Sequence, residues 1–188
     1  MKRTTRLIGS VISATLLLSA AGCATFGEPG GSEIPRNEQT HDGPIGPADG
    51  FHRDEALDPW ADVPAITRLE PALRTALQSA AAAARAAGTD FWVTSGWRSA
   101  RYQQHLLDEA IVTYRSEAEA MKLVQTPEKS KHVTGEAVDV GPTDANSWMS
   151  IHGAEYGLCQ VYANEMWHFE LLTEPGGTCP RARADAAS

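Results

Sequence analysis

Apolar residues begin to recur at helical spacing near residue 66. Ile66, Leu69, Leu73, Leu77, Ala80 and Ala81 fall three or four apart in "PAITRLEPALRTALQSAAAAARAAG", and Gly88 stops the run, so a long Ala-rich helix is predicted. "DFWVTSGWRS" then switches to aromatic and β-branched residues, which predicts a strand interrupted at Gly96. Ser99 is placed to cap a second helix, "SARYQQHLLDEAIVTYRSEAEAMKLV", with Leu106 and Leu107 on its inner face and Pro127 beyond its end. Further on, "GEAVDVG" predicts a short strand, "DANSWMSIHGAEYG" a helix opened by Asp144 and closed by Gly157, and "LCQVY" and "EMWHFELL" two more strands. Helices lead and strands gather later, an order that favours an α+β domain over a doubly wound one. No internal repeat interrupts it.

The pattern fails in the first third of the chain. "MKRTTRLIGSVISATLLLSAAGC" has a basic start, an apolar run to Leu18 and small residues ahead of Cys23, the layout of an export signal rather than of a settled membrane span. Its "LSAAGC" ending resembles a bacterial lipoprotein signal, which implies removal of residues 1–22 and a lipid on Cys23; plain secretion is the alternative. Residues 23–58 are rich in Gly, Pro, Asp and Glu without apolar periodicity, so they read as a flexible tether. The folded domain is expected over residues 59–180, and residues 181–188 as a disordered tail.

Composition agrees with a single exported domain. At 188 residues, 42% hydrophobic and 21% charged, there is material for one core. Of three cysteines, lipidation of Cys23 would leave Cys159 and Cys179 as one disulfide, worth about 3 kcal/mol on the chain-entropy model, in an oxidising compartment. The formal net charge is −8, and three of the basic residues lie in the export signal. Such acidity disfavours nucleic acid, or anionic lipid heads, as partners of a general basic surface.

Candidate chemistry centres on "SKHVTGEAVDV", where His132 and Asp139 stand seven residues apart, and on "NEMWHFEL", which offers His168. A catalytic zinc takes three ligands from His, Cys, Asp and Glu and keeps one position for water. Lone histidines are more often packed residues than ligands, and His41, His52, His105 and His152 are read that way. The other three come with the parts the chemistry needs. Glu165 is a carboxylate that could take a proton from an attacking water, provided it sits in the turn entering its strand, because strand positions three apart face opposite ways. Arg98, after the first strand, could stabilise an oxyanion or hold a substrate carboxylate; its bland alternative is a surface ion pair.

These residues carry a resemblance. "SKHVTGEAVDV" matches the pattern S-x-H-x-x-G-x-A-x-D and "EMWH" the pattern E-x-W-H of the D-alanyl-D-alanine carboxypeptidase family typified by VanY. "SGWRSARYQQ" is similar to that family's S-G-Y-R-S segment and the glutamine that follows it, and "SWMSIHGAEYGL" to a further family helix. Trp97 stands where Tyr is common and Met166 where Pro is common. The resemblance implies a small antiparallel sheet flanked by helices, zinc on His132, Asp139 and His168, Glu165 as base, and Arg98 as transition-state or carboxylate contact. Ser130 and Gln103 would be substrate contacts. It also implies an extracytoplasmic enzyme that removes the terminal D-alanine of peptidoglycan stem peptides; a monomer is the default expectation, and the lipid read at Cys23 would hold it to the membrane. An L,D-carboxypeptidase, a stem endopeptidase and a non-catalytic peptidoglycan-binding zinc domain are the other readings; an adaptor acting through its tether is the weakest.

Overall fold

The computed structural model describes residues 43–53 and 56–188. The expected signal, Cys23, His41 and the first part of the expected tether lie outside the described residues.

The rest of that tether packs. Leu57 forms an isolated antiparallel bridge with Val93 and is buried, while Asp49 ends a 3-10 turn at Pro47–Asp49 and accepts from Ser99 Oγ at 2.8 Å and Arg101 Nε at 2.6 Å. That double cation and hydroxyl contact holds the Asp49 carboxyl down at about 2.

The predicted Ala-rich helix is two helices. Proline cannot donate to a helix interior but suits its first turn, so α1 (Pro64–Thr67) ends and α2 (Pro71–Ala86) starts afresh, with Glu70 accepting from Ala72 N at 2.8 Å and Leu73 N at 3.3 Å. β1 (Trp92–Ser95) follows. The second predicted helix also divides, into α3 (Ala100–Tyr114) and α4 (Glu117–Ala120), because Arg115 adopts φ 54° and Ser116 caps a new turn through Glu119 N. Then come α5 (Lys131–Thr134), β2 (Ala137–Gly141), α6 (Thr143–His152), a 3-10 turn, β3 (Leu158–Tyr162) and β4 (Glu165–Leu171).

The four strands form one antiparallel sheet in the order β1-β2-β4-β3. Leu73, Leu77, Ala80, Ala81 and Ala84 of α2 bury one stripe among Val93, Val138, Val140, Met149, Leu158 and Phe169 of the sheet and α6. The expected α+β architecture, a small antiparallel sheet flanked by helices, is the observed one. No helix among the described residues is long and apolar enough to cross a membrane.

Cys159 and Cys179 are disulfide-bonded, with 5.6 Å between their Cα atoms. Residues 181–188, expected as a disordered tail, instead lie against β3: Arg183 N donates to Val161 O and Ala163 N to Arg183 O, at 2.9 and 2.8 Å. The physical reason is the edge of the sheet. β3 is an outer strand whose backbone groups need partners, and the disulfide anchors the segment beside it.

Candidate functional site

Two adjacent strands and one helical turn bring the three candidate ligands together. Asp139 on β2 and His168 on β4 are direct cross-strand partners, so their side chains share one face of the sheet. His132 arrives from α5, one turn long because Gly135 takes φ 76° at its end, where a Cβ would fall 2.5 Å from Arg68 O. The H-x-x-G-x-x-x-D spacing is thus a helical turn, a left-handed stop and a strand.

His132 Nε2, Asp139 Oδ1 and His168 Nδ1 form a triangle with sides of 3.2, 3.3 and 3.4 Å. Zinc bonded to nitrogen and oxygen at about 2.0–2.1 Å with tetrahedral angles would set its ligands about 3.3–3.4 Å apart. The triangle therefore has the size of one face of such a site. All three residues are buried.

Each of the three is also held from behind. His132 Nδ1 lies 2.8 Å from Gly96 O, His168 Nε2 lies 3.2 Å from Glu170 Oε1, and Asp139 Oδ2 accepts from Arg98 Nη2 at 2.9 Å. Partners of this kind fix the ring orientation and leave the ligand atom facing the metal position. Electrostatics follow the same contacts. Burial disfavours the Asp139 carboxylate, but His132, His168 and Arg98 outweigh it and hold that carboxyl well below its ordinary range. Burial likewise opposes charge on His168, yet Asp139 and Glu170 carry its ring up to about 9. His132 is pushed down by burial and by the Arg98 charge.

Glu165 is different. It is buried, Oε1 has no hydrogen-bond partner, and burial raises its carboxyl to about 7, with Asp139 adding to the rise and His168 and Arg98 opposing it. The strand pairing is irregular here. Between the pairs Gln160↔Phe169 and Tyr162↔Glu165, β3 advances two residues while β4 advances four. Across this irregularity regular alternation is lost: Met166 and Trp167 are exposed, and Glu165 is buried in the cavity that His168 also lines.

Arg98 is neither at the surface nor free. Nε donates to Ser95 Oγ at 2.8 Å, Nη1 to Gln103 Oε1 at 3.0 Å and Nη2 to Asp139, which occupies three of its five N–H groups. The surface ion pair weighed from the sequence is therefore a buried one. Gln103 passes the chain on through Nε2 to Gln125 O at 2.8 Å. Ser130 is buried ahead of α5 and spends no side-chain hydrogen bond on capping it. All seven predicted residues line one cavity of about 250 Å³. A larger cleft of about 690 Å³ shares only Trp167 with it and holds none of them.

Residues 66–175 match the family model described as VanY: D-alanyl-D-alanine carboxypeptidase. The chain belongs to the VanY family. A D-alanyl-D-alanine carboxypeptidase of Enterococcus faecalis (strain ATCC 700802 / V583) is 28% identical over 130 residues, covering 56% of this chain and 48% of the relative. The chain thus spans about half the length of that curated relative. Among solved structures, a variant of the vancomycin-resistance D,D-pentapeptidase VanY from a VanB-type cassette, in complex with Zn(II), is 26% identical with a TM-score of 0.52, covering 54% of this chain and 71% of that one. VanYB in complex with D-alanine-D-alanine is 25% identical with a TM-score of 0.53, covering 56% and 72%.

Within this VanY-family site, sequence reasoning missed Glu170 and the Gly96 carbonyl. Glu170 was open to inference: it stands two residues after His168, on the same face of a strand, and a glutamate at a buried strand position calls for a partner. The Gly96 contact was not, since a backbone carbonyl has no sequence signature. It arises where Trp97 N donates to Ala65 O and Arg98 N to His132 O, backbone contacts that draw the segment after β1 against α1 and α5.

Proposed function

We propose that the protein is an extracytoplasmic zinc carboxypeptidase that removes the terminal D-alanine from peptidoglycan stem peptides. The observation that carries this is the 3.2–3.4 Å ligand triangle with an unpartnered, buried Glu165 carboxyl in the same cavity. A structural zinc site would need no such base. Family membership and likeness to proteins solved with Zn(II) and with D-alanine-D-alanine support the metal and the substrate class.

His132, Asp139 and His168 would hold the zinc ion. Bound there, it would supply a Lewis acid and lower the pKa of water toward neutrality. Glu165 takes the proton of the attacking water and returns it to the leaving amine; a carboxyl near 7 suits both directions at neutral pH. Arg98, with two N–H groups uncommitted beside Asp139, meets the substrate carboxylate or the developing oxyanion. The Ser130 hydroxyl and Gln103 are the adjoining substrate contacts. In this reading residues 1–22 are an export signal and Cys23 carries the lipid that holds a monomeric enzyme at the membrane surface.

The test is release of D-alanine from a muramyl pentapeptide and from the corresponding tetrapeptide, with and without a chelator. Metal-dependent release from the pentapeptide is expected. Release from the tetrapeptide alone would move the enzyme to the L,D class. Stoichiometric zinc with neither peptide cut would overturn the reading in favour of a non-catalytic domain or an endopeptidase.

A further inference from the structure

The cavity's lining is not all catalytic. Beside the polar residues it is walled by Leu106, Leu123, Val124, Gln125 and, from far along the chain, Ala186. Ala186 is 8% exposed and packs with Val161 and Tyr162. Its position is held from several sides. Ala186 N donates to Lys122 O at 3.2 Å, and Gln125 Nε2 donates to Ala186 O at 2.8 Å. Three residues earlier, Arg183 bridges to Tyr162 in a parallel pair, donates to the Tyr162 hydroxyl at 3.0 Å and sets its guanidinium 4.8 Å from that ring's centre. The disulfide at Cys179 ties the root of this segment to β3.

These contacts continue into the site. Ala186 O accepts from Gln125, whose backbone carbonyl accepts from Gln103, whose Oε1 accepts from Arg98. Segment 183–186 thus sits at the far end of a hydrogen-bonded chain that begins at the Arg98 guanidinium. The cavity volume, about 250 Å³, is below the about 300–1,000 Å³ usual for drug-sized ligands, so any bulk added or removed at this wall is a large fraction of the space.

We propose that residues 183–186, braced by Arg183 on Tyr162 and stapled by Cys159–Cys179, form the specificity-determining wall of the cavity and restrict it to an end group as small as alanine. This rests on the peptidase reading of the site, and it goes further in naming what limits the group admitted. Ala186 is the gauge, because a longer side chain there projects into the space the end group needs. Arg183 and the disulfide are positioning elements that act through Tyr162 and Gln125.

The test compares kcat and KM of the zinc-reconstituted full chain on acylated peptides ending in D-Ala-D-Ala and in D-Ala-D-Leu. Ala186→Leu is expected to raise KM for the D-alanine peptide about tenfold or more with a smaller change in kcat, since one added group in a small pocket is worth about that much. Arg183→Ala, and separately the paired change of Cys159→Ala and Cys179→Ala, are expected to narrow the preference for D-Ala over D-Leu about fivefold or more. Ala186→Val is the milder step should leucine unfold the turn, and circular dichroism and zinc stoichiometry establish that each variant is folded. Folded variants with an unchanged preference and unchanged KM would overturn the wall. If the wild-type protein cuts neither peptide, the peptidase reading fails by itself. Calorimetric binding of D-Ala-D-Ala and D-Ala-D-Leu to the zinc-loaded wild type and Ala186→Leu then decides the wall: the wild type favours the smaller ligand and the variant loses it, whereas equal or undetectable binding overturns it.

Discussion

Asp139 and Glu165 are buried almost alike, at 6% and 5% exposed, and line the same cavity, yet one carboxyl is held far down and the other lifted to about 7. The difference lies in partners, not depth. Asp139 meets two imidazoles and a guanidinium, so its charge is compensated on both oxygens. Glu165 has an oxygen with no partner at all. Two carboxyls whose surroundings drive them apart in this way divide labour: the permanently ionised one suits a metal ligand, and the one poised near neutrality suits a proton carrier.

The largest break in that comparison is Glu165→Gln. It removes the proton carrier without touching the triangle, so kcat is expected to fall about 10²–10⁴-fold while zinc binds with unchanged stoichiometry, read by peptide turnover and metal analysis side by side. Loss of zinc in this variant would mean that Glu165 belongs to the metal set. Asp139→Asn attacks the other carboxyl and leaves Arg98 buried without its counter-charge; zinc retention should be lost and denaturant midpoints should fall by the equivalent of about 3–5 kcal/mol. Glu170→Gln is milder, weakening zinc about 10–100-fold in a competition titration by loosening the His168 ring.

The comparison can be sharpened by pH. Glu165 loses its base form as pH falls, so kcat/KM should decline on the acid side with a slope of one, at a midpoint below the metal-free value of about 7 because a bound dication favours the carboxylate. For stability of the metal-free protein the sign is the reverse. The folded state holds the Glu165 proton more tightly than the unfolded chain, whose carboxyl titrates at its ordinary 4.5, so this residue's contribution is fully present below 4.5 and is lost as pH rises through about 7. Glu165→Gln removes that loss. The variant should be more stable than wild type at pH 8 by about 3 kcal/mol, and nearly equal to it at pH 4, in parallel urea titrations.

Much of the site was legible because its chemistry is carried by side chains at short range in sequence. Histidine, a glycine stop and aspartate within "SKHVTGEAVDV" already describe a turn feeding a strand, and the strand "EMWHFELL" was legible from its aromatic and large apolar residues. Helix division was less legible, because apolar periodicity runs straight through both breaks. At Pro71 the interruption lies in proline's missing donor; at Arg115 only backbone conformation, φ 54°, interrupts it. Residues 181–188 were misread for a different reason: their composition cannot bury a core alone, and what orders them is the open edge of β3 and a covalent anchor at Cys179.

The amino-acid sequence by itself determined the donor set, the order of helices before strands, and the cysteine pair, since these depend on residue type and local spacing. Tertiary structure alone decided that Glu165 could reach the site, because regular alternation is lost where β4 pairs irregularly with β3, and no local pattern encodes what the neighbouring strand does. It alone decided which groups stand behind the three donors, and that Ala186, 18 residues past His168 in the numbering, shares their cavity. Side-chain identity sets what a group can do; the dielectric and the partners around it, which only the fold supplies, set whether it does so at neutral pH.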